Sequence, residues 1–326
     1  QRYEYYLEVG SRIAAQFPGA QTILDAGCGI GLLTTFYAQR CPDATVVGID
    51  RSPASVTRAR QRAQELGLSN VRFECLDLEQ HELSGRYDLI VATHTLLQAE
   101  QDPGLPSRDW QDFNRALDAQ AQSEFEQRTG VGLRLDRLRN VLNGNGRMIL
   151  FEKTRQLARR IPFQRALAAR GLALHLPPEP IRYRSIEEVT DDGPLYVTGL
   201  ASPSSALPWN EAPEPDGAPP LHVQQLRSVR VDPEQPLYEN HDASAQQAWL
   251  NLPAKQVVHQ VTRKEADGRQ LYVEWGRAGE FAYLYCANTF DQRQLVVVDQ
   301  ARAAMVETYY KEIVGKQSTS QQRMMK

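Results

Sequence analysis

Two hydrophobic patterns take turns along the first 200 residues, one with helical spacing and one made of short continuous runs. Tyr6, Val9, Ile13 and Phe17 recur at helical spacing and predict a helix over residues 2–17, ending before a Pro-Gly pair. The short apolar runs predict strands at residues 22–25, 45–50, 71–76, 87–92 and 147–152. Helices are predicted between them at residues 32–40, 53–66 and 133–142.

This alternation of strands and helices indicates an α/β fold. Parallel strands joined by helical crossovers form a sheet covered on both faces, and right-handed crossovers make a doubly wound, Rossmann-like sheet the expected arrangement. A helix over residues 155–170 and strand-like stretches at 172–176 and 194–200 complete a mostly parallel sheet of seven strands. Such sheets bind ligands at the carboxyl ends of their strands, so we expect the site at that edge.

The composition changes sharply after the last of these strands. Residues 201–220 are rich in Pro, Ser and Ala, which is typical of a linker. We therefore predict a first domain over residues 1–200 and a second, smaller α+β domain over residues 221–326. The strands and closing helix of the second domain are predicted at residues 256–261, 270–275, 281–286 and 300–314.

Composition and charge argue against several classes of protein. The chain of 326 residues has a net charge of −3, which gives it no overall attraction to nucleic acid or to an anionic membrane. No apolar run approaches the roughly 20 residues that a membrane helix needs. The four cysteines form no CxxC pair and no His cluster has metal-ligand spacing, so we expect neither a metal site nor disulfides. A cytoplasmic protein is the simplest expectation.

The residues with the clearest chemical meaning are 23–31, with the sequence ILDAGCGIG. A predicted strand leads into a turn that contains Gly27, Gly29 and Gly31, and glycines allow positive φ and a close approach of ligand to backbone. Nicotinamide enzymes use similar turns, and the glycines alone are also compatible with a plain tight turn. Asp25, two positions before the first glycine, would repel a pyrophosphate but suits the ammonium group of an amino acid.

Two further acids follow the second and third predicted strands. Asp50 ends the second strand, about 20 residues after the glycine turn, where a carboxylate can accept hydrogen bonds from both hydroxyls of a ribose. Asp77 follows the third strand, where a carboxylate can accept a hydrogen bond from an adenine amino group. The alternatives are that Asp50 caps the next helix and that Asp77 is a solvated loop acid.

Taken in order, these segments resemble the class I S-adenosylmethionine-dependent methyltransferase family. ILDAGCGIG is similar to the family's first motif, GID to its second, CLDL to its third and YDLIVATHTLL to its fourth, over about residues 2–200. The resemblance implies S-adenosylmethionine as cofactor and S-adenosylhomocysteine as product. It implies that the three glycines surround the methionine moiety, with Asp25 and Thr93 near it. It also implies that Asp50 binds the ribose and Asp77 the adenine end.

The acceptor side carries fewer signals, since methyl transfer from a sulfonium needs positioning more than a fixed catalytic motif. His94 is the candidate general base, because it follows the fourth strand and a neutral imidazole can take a proton near neutral pH. The alternative is that His94 lines the pocket or packs. Residues 98–130 form a long insertion at the same edge. We interpret its Trp110 and Phe113 as candidate substrate-binding residues, with helix packing as the alternative.

These observations predict methyl transfer to an oxygen or nitrogen atom of a small metabolite or natural-product intermediate. The sequence lacks the Asn/Asp-Pro-Pro-Tyr/Phe motif of enzymes that methylate amino groups of DNA bases, and it has no Pro-Cys dipeptide. The alternatives are a protein or RNA methyltransferase whose C-terminal domain docks the substrate, a non-catalytic cofactor-binding scaffold and a nicotinamide enzyme. A homodimer is compatible with each of them.

The second predicted domain carries a weaker signal. Residues 271–279, with the sequence LYVEWGRAG, resemble the WGR domain, a small module of some nucleic-acid-associated proteins. The resemblance rests on one tripeptide and the order of elements, and residues 281–283 replace the further glycine usual in that family. The alternative is a generic α+β domain that recognises substrate, mediates dimers or caps the active site.

Overall fold

The chain folds into two compact units. The computed structural model describes residues 3–97, 102–185, 188–201, 207–232, 234–265 and 268–315. The N-terminal unit comprises residues 1–105 and 118–210, and the C-terminal unit comprises residues 106–117 and 211–326. Residues 106–117, which the sequence division places in the first domain, therefore belong to the C-terminal unit.

The N-terminal unit alternates strands and helices as the hydrophobic pattern predicts. Its helices are α1 (Tyr3–Ala14), α2 (Leu32–Arg40), α3 (Pro53–Glu65), α4 (Ala119–Thr129), α5 (Val131–Val141) and α6 (Leu157–Ala169). Its strands are β1 (Thr22–Ala26), β2 (Thr45–Asp50), β3 (Val71–Cys75), β4 (Tyr87–Thr93), β5 (Leu142–Phe151), β6 (Leu172–Leu174), β7 (Glu179–Ser185) and β8 (Glu188–Leu200).

These eight strands form one sheet in the order β3-β2-β1-β4-β5-β8-β6, with β7 paired to β8. Strands β1 to β5 pair in parallel, whereas β8 runs antiparallel to β5, β6 and β7. The mostly parallel α/β fold class is confirmed. The sequence predicts seven strands in this sheet, and the structure has an eighth, β7. Because β1 to β5 point the same way, Ala26, Asp50, Cys75, Thr93 and Phe151 all end at one edge of the sheet.

Side chains of β1 show how the sheet separates its two cores. Leu24 and Ala26 belong to the cluster that includes Phe125, Leu135 and other residues of α4 and α5. Ile23 belongs to the opposite cluster, which α1 and α2 cover. Successive side chains of a strand point to opposite faces, so a strand that is apolar at every position can be buried on both sides.

The C-terminal unit is built on an antiparallel sheet of five strands in the order β10-β11-β12-β13-β9. Its strands are β9 (Tyr238–Asn240), β10 (Lys255–Lys264), β11 (Gln270–Ala278), β12 (Phe281–Asn288) and β13 (Arg293–Asp299). Its helices are α7 (Val223–Leu226), α8 (Ala245–Leu250) and α9 (Ala303–Gly315), the last preceded by a 3₁₀ turn at Gln300–Arg302. The predicted second α+β domain is confirmed in its element types, and the structure adds β9 and β13.

Two elements lie where the sequence pattern is weak. Helix α4 buries Phe125 and Thr129 among polar residues, so it has little apolar periodicity. Strand β7 contains Pro180, a residue that argues against a strand unless it pairs at an edge, and β7 pairs only with β8 among the described strands. Within the described ranges, no helix is long and apolar enough to cross a membrane.

Candidate active site

The glycine turn directly follows β1 and is shaped by three residues with positive φ. The φ angle is 73° at Gly27, 53° at Gly29 and 74° at Gly31, a region that residues with a Cβ rarely adopt. A Cβ on Gly27 would lie 2.0 Å from Thr95 Oγ1, whereas a Cβ on Gly29 would meet nothing within 4 Å. The Gly27 amide donates to the Ile49 carbonyl at 2.8 Å. The turn is therefore anchored to β2 and leaves open space over Gly29.

The three glycines have different surroundings. A Cβ on Gly31 would lie 2.8 Å from Ala59 Cβ and 3.0 Å from the Phe73 ring, so Gly31 permits close packing of α2 against α3 and β3. Gly27 and Gly29 line the two cavities described below, whereas Gly31 is not among the residues that line them. The spacing of the glycines in the sequence does not distinguish a glycine that borders a cavity from one that permits close packing of a helix.

Asp50 ends β2 and holds the turn through backbone hydrogen bonds. Its Oδ2 accepts from the Gly29 amide at 2.9 Å, and its Oδ1 accepts from the Ser52 amide at 2.8 Å. Each carboxylate oxygen has two lone pairs, so each keeps an acceptor position for another donor. The cap of α3 is Ser52, whose side chain accepts from the Ser55 amide. Asp50 is therefore available for a role at the sheet edge.

Asp77 lies two residues beyond the end of β3. Its Oδ1 accepts from the Glu79 amide at 2.8 Å, which fixes the local turn. The preceding Leu76 amide donates to the Asp50 carbonyl at 2.9 Å, so the chain after β3 is held beside the end of β2. The two acids are thus brought to the same edge by backbone pairing.

Two cavities open at this edge, and Gly27 and His94 line both of them. The first cavity, of about 140 Å³, is also lined by Asp50 and Asp77. The second cavity, of about 170 Å³, is lined besides these by an acid, a hydroxyl, a turn glycine and two aromatic residues: Asp25, Thr93, Gly29, Tyr5 and Tyr6. Together the two cavities reach the lower end of the range typical of small-molecule sites, roughly 300–1,000 Å³.

Asp25 is the most deeply buried acid of the second cavity, with a relative exposure of 2%. Its Oδ2 accepts a hydrogen bond from the Thr34 hydroxyl at 2.6 Å. Burial raises the pKa of Asp25 from its ordinary value of 3.8 to about 7, and the nearby charge of Asp50 adds to the increase. A cation beside Asp25 would favour its charged form, so this carboxyl suits a positively charged ligand group.

His94 occupies a strained backbone position between the two cavities. Its φ of 51° makes it one of three non-glycine residues with positive φ in the described part of the chain. Its amide donates to the Phe151 carbonyl at 2.8 Å. Its ring stacks against Tyr5 at a centroid distance of 5.5 Å and lies 5.3 Å from the Phe151 ring. Backbone outliers of this kind concentrate at functional sites, which supports a role for His94 there.

Two carboxylates that the sequence pattern does not single out lie beside His94. Asp192 Oδ2 is 3.2 Å from His94 Nε2. Glu152 is fully buried and accepts hydrogen bonds from the amides of residues 95, 96 and 97. Burial raises the pKa of Glu152, although the neighbouring His94 opposes this. A signal for Glu152 existed in the sequence, since it ends the predicted strand at 147–152.

Trp110 and Phe113 lie elsewhere in the structure. Trp110 stacks on Tyr272 at a centroid distance of 3.7 Å with nearly parallel rings, inside the C-terminal unit. The guanidinium of Arg293 lies 4.5 Å above the Phe113 ring in the same unit. Neither residue lines the two cavities. Their proposed contact with substrate stays a prediction, and their observed role is packing.

Comparison with known proteins supplies the class of this fold. Residues 19–162 match the family model described as a methyltransferase domain. These residues form a methyltransferase domain. Their span contains the glycine turn, Asp50, Asp77 and His94. It holds every residue that lines the first cavity, and those that line the second except Tyr5 and Tyr6.

Curated relatives of the methyltransferase domain agree with the family match. A malonyl-[acyl-carrier protein] O-methyltransferase of Acetivibrio thermocellus is 47% identical over 73 residues, which cover 22% of this chain and 25% of the relative. A trans-aconitate 2-methyltransferase of Deinococcus radiodurans is 43% identical over 94 residues, covering 29% and 34%. The chain thus spans about a quarter to a third of the length of these curated relatives.

Solved structures show more distant likenesses. Magnesium protoporphyrin IX methyltransferase from Synechocystis, with bound SAM, is 21% identical with a TM-score of 0.42, covering 60% of this chain and 78% of that chain. The mitomycin 7-O-methyltransferase is 16% identical with a TM-score of 0.43, covering 60% and 54%. These values add no weight to the family match. The prediction of a methyltransferase is confirmed for the matched segment, whereas the WGR resemblance of the C-terminal unit stays a prediction.

Proposed function

We propose that this protein transfers a methyl group from S-adenosylmethionine to an oxygen or nitrogen atom of a small metabolite or natural-product intermediate. One observation carries the proposal. The glycine turn, Asp50 and Asp77 converge on one edge of the sheet, beside two cavities, within a segment that matches a methyltransferase domain. The proposal covers the cofactor, the reaction and the class of acceptor.

The first cavity fits the nucleoside part of the cofactor. The free acceptor positions of Asp50 suit the two ribose hydroxyls, and the Asp77 carboxylate suits the adenine amino group. Gly27 lines both cavities, and its lack of a Cβ lets a ligand pass close to the backbone from one to the other.

The second cavity fits the amino-acid part. Asp25 would attract an ammonium group, and Thr93 offers a hydroxyl on the same wall. Burial alone opposes the charged form of Asp25, so the ligand's positive charge and the acid would stabilise each other. Open space over Gly29 leaves room for the methionine chain.

When bound, the cofactor supplies a methyl carbon that its sulfonium charge already activates. The protein then has to orient the acceptor and exclude water. His94 lies between the cavities with aromatic rings of Tyr5 and Phe151 beside it, and those rings cover part of the imidazole. We assign His94 the role of general base, within reach of an acceptor placed at the junction of the two cavities.

The names of the relatives support a small acceptor. Besides the trans-aconitate enzyme, a (S)-tetrahydroprotoberberine N-methyltransferase of Eschscholzia californica is 33% identical over 82 residues. Both names specify small organic acceptors, and the second specifies methylation on nitrogen.

Calorimetric titration with S-adenosylhomocysteine tests the proposal, with NAD as the comparison ligand. We expect micromolar binding of S-adenosylhomocysteine alone. The variant Asp50→Ala should weaken that binding, and Asp43→Ala, a change at an exposed acid of the same unit, is the matched control. Binding of NAD in preference to S-adenosylhomocysteine, or no binding of either, would contradict the proposal.

A further inference from the structure

The side chain of Asp192 is held beside His94 by its own backbone. The Asp192 carbonyl accepts hydrogen bonds from the amides of Thr154 and Arg155, at 2.7 and 2.9 Å, which tie β8 to the segment after β5. Gly193 makes this approach possible, because a Cβ there would lie 2.7 Å from Thr154 Oγ1 and 2.9 Å from the Arg155 nitrogen. A carboxylate is thereby fixed at the edge where the methyltransferase site lies.

A second side chain fixes the orientation of that carboxylate. The Tyr183 hydroxyl donates a hydrogen bond to Asp192 Oδ2. The Tyr183 ring in turn packs edge-on against Tyr5 at a centroid distance of 5.1 Å, and Tyr5 stacks on His94. Burial raises the pKa of Asp192, but the neighbouring His94 and the hydrogen bond from Tyr183 lower it by more, so the pKa is below its ordinary value. Asp192 is therefore a carboxylate at neutral pH.

A carboxylate next to one imidazole nitrogen decides where the imidazole carries its proton. Asp192 Oδ2 lies 3.2 Å from His94 Nε2, and a carboxylate can only accept. The two atoms lie within hydrogen-bonding distance without meeting the geometry of a regular hydrogen bond, as is common for catalytic pairs before substrate binds. In the neutral imidazole the proton then resides on Nε2, and Nδ1 presents its lone pair.

We propose that Asp192 and Tyr183 position His94 with its Nδ1 as proton acceptor, and that the group methylated is a hydroxyl, such as a phenol or an enol. This inference rests on the proposed methyl transfer and narrows its acceptor class. Asp192 and Tyr183 act through His94 and are positioning residues, whereas His94 is the catalytic residue.

The class of acceptor follows from the need for a base. A carboxylic acid is already ionised at neutral pH, so it needs no base before it attacks. An amine, with an ordinary pKa of about 10, has to lose a proton, but once it is neutral it has a free lone pair and needs no base during the transfer. A hydroxyl with an ordinary pKa of roughly 10, such as that of a phenol or a tyrosine, does need a base. A carboxylate acceptor would also lie close to Asp192, Glu152 and Asp25, and like charges repel.

The proposed step balances without any further reactant. The hydroxyl oxygen forms a bond to the methyl carbon as the carbon–sulfur bond breaks, and that bond's electron pair stays on sulfur. The hydroxyl proton moves to His94 Nδ1. The resulting imidazolium lies near both Asp192 and the buried Glu152, whose negative charges stabilise it.

The state of the imidazole can be measured without knowing the acceptor. The chain has six histidines, so ¹⁵N-histidine NMR of the full-length protein with saturating S-adenosylhomocysteine resolves His94 when compared with the variant His94→Gln. We expect the neutral ring of His94 to carry its proton on Nε2.

The groups around His94 that titrate or carry charge are Asp192, Glu152, Lys153, Tyr5, Tyr6 and Asp25.

Variants separate a positioning role from a merely structural one. Asp192→Ala should abolish the preference for the Nε2 proton and leave the affinity for S-adenosylhomocysteine within about two-fold, since Asp192 lines neither cavity. Asp191→Ala is the matched control, because the neighbouring carboxylate pairs with Arg155 and Arg182 instead. If Asp192→Ala does not fold, Tyr183→Phe retains the ring and should weaken the same preference. An unchanged tautomer in these variants, or an Nδ1 proton in the unmodified protein, overturns the positioning role.

The acceptor class has its own measurement. Transfer of a radiolabelled methyl group is followed to phenol, catechol and acetylacetone as hydroxyl probes, and to trans-aconitate and monomethyl malonate as carboxylate probes. We expect transfer to a hydroxyl probe, reduced about 100-fold by His94→Ala and about ten-fold by Asp192→Ala, but not by Asp191→Ala. Preference for a carboxylate probe, or no transfer to any hydroxyl probe, overturns the class. If the unmodified protein does not bind S-adenosylhomocysteine, the proposed function itself is overturned.

Discussion

The buried Asp25 gives a quantitative prediction about stability. Burial raises its pKa from the ordinary 3.8 to about 7, so the folded chain holds this proton more tightly than the unfolded chain does. Its contribution to stability is fully present below about pH 4 and is lost as the pH rises through about 7. Asparagine has nearly the same shape and no titrating proton, so Asp25→Asn removes this dependence.

The magnitude follows from the two pKa values. Between pH 5 and pH 8 the unfolded chain has already lost this proton, while the folded chain gives it up only near pH 7. The unfolding free energy therefore falls by the equivalent of about two pKa units, and at about 1.4 kcal/mol for each unit the fall is roughly 3 kcal/mol. The difference in unfolding free energy between Asp25→Asn and the unmodified protein should therefore be about 3 kcal/mol more favourable to the variant at pH 8 than at pH 5. Taking this difference cancels the constant effect of replacing the carboxyl by an amide.

The assay has to report the N-terminal unit, because the two units need not unfold together. Pulsed hydrogen–deuterium exchange across a guanidinium series, read on peptides from β1 and β4, gives the unfolding free energy of that unit at each pH. Equal values of the variant effect at pH 5 and pH 8 would refute the reasoning that burial raises the pKa of Asp25.

Asp88→Asn is the control for this experiment. Although burial raises the pKa of Asp88, hydrogen bonds from Asn143, Gln21 and Thr22 lower it further, so the net pKa is below 3.8. Its stabilising contribution is present above the ordinary pKa and is lost as the pH falls through the lowered one. Both values lie below pH 5, so Asp88→Asn should destabilise the unit equally at pH 5 and pH 8.

Further predictions concern the turn, the cofactor and the division into units. Asp50→Ala should weaken S-adenosylhomocysteine binding by roughly 1.5–3 kcal/mol in calorimetry, through the loss of charge-assisted hydrogen bonds, and unchanged affinity would remove Asp50 from the site. Gly27→Ala should lower the unfolding free energy by more than about 1 kcal/mol, since the left-handed φ and the contact with Thr95 both oppose a Cβ. Gly19→Ala is the control, because Gly19 has a positive φ of 88° but open space around its Cβ position, so this change should cost less. A fragment ending near Gly217 should aggregate, because it exposes residues 106–117, which belong to the C-terminal unit. Replacing that segment by a Gly/Ser linker should restore solubility in a light-scattering assay. A soluble fragment with the segment intact would contradict the division into units.

The sequence by itself determined the strands and helices that carry the cofactor side of the site. The bounds of α2 and β2 agree with the hydrophobic pattern residue for residue, because an apolar run, a cap and a proline are local signals. The glycine turn and Asp50 could be predicted to lie together for a similar reason. One strand–helix–strand unit fixes their separation along the chain and their distance in space.

Only the tertiary structure decided which residues meet across long separations. Glu152 reaches His94 through the parallel pairing of β5 with β4, and Asp192 reaches it through the antiparallel pairing of β8 with β5. The sequence spacing between His94 and Asp192 carries no trace of these pairings. Trp110 and Phe113 have the composition of a pocket wall, yet they pack in the C-terminal unit, because burial of a large aromatic side chain depends on which surface the chain reaches. Local patterns fix secondary structure and turns, whereas the partners of a side chain are set by packing between elements far apart in the chain.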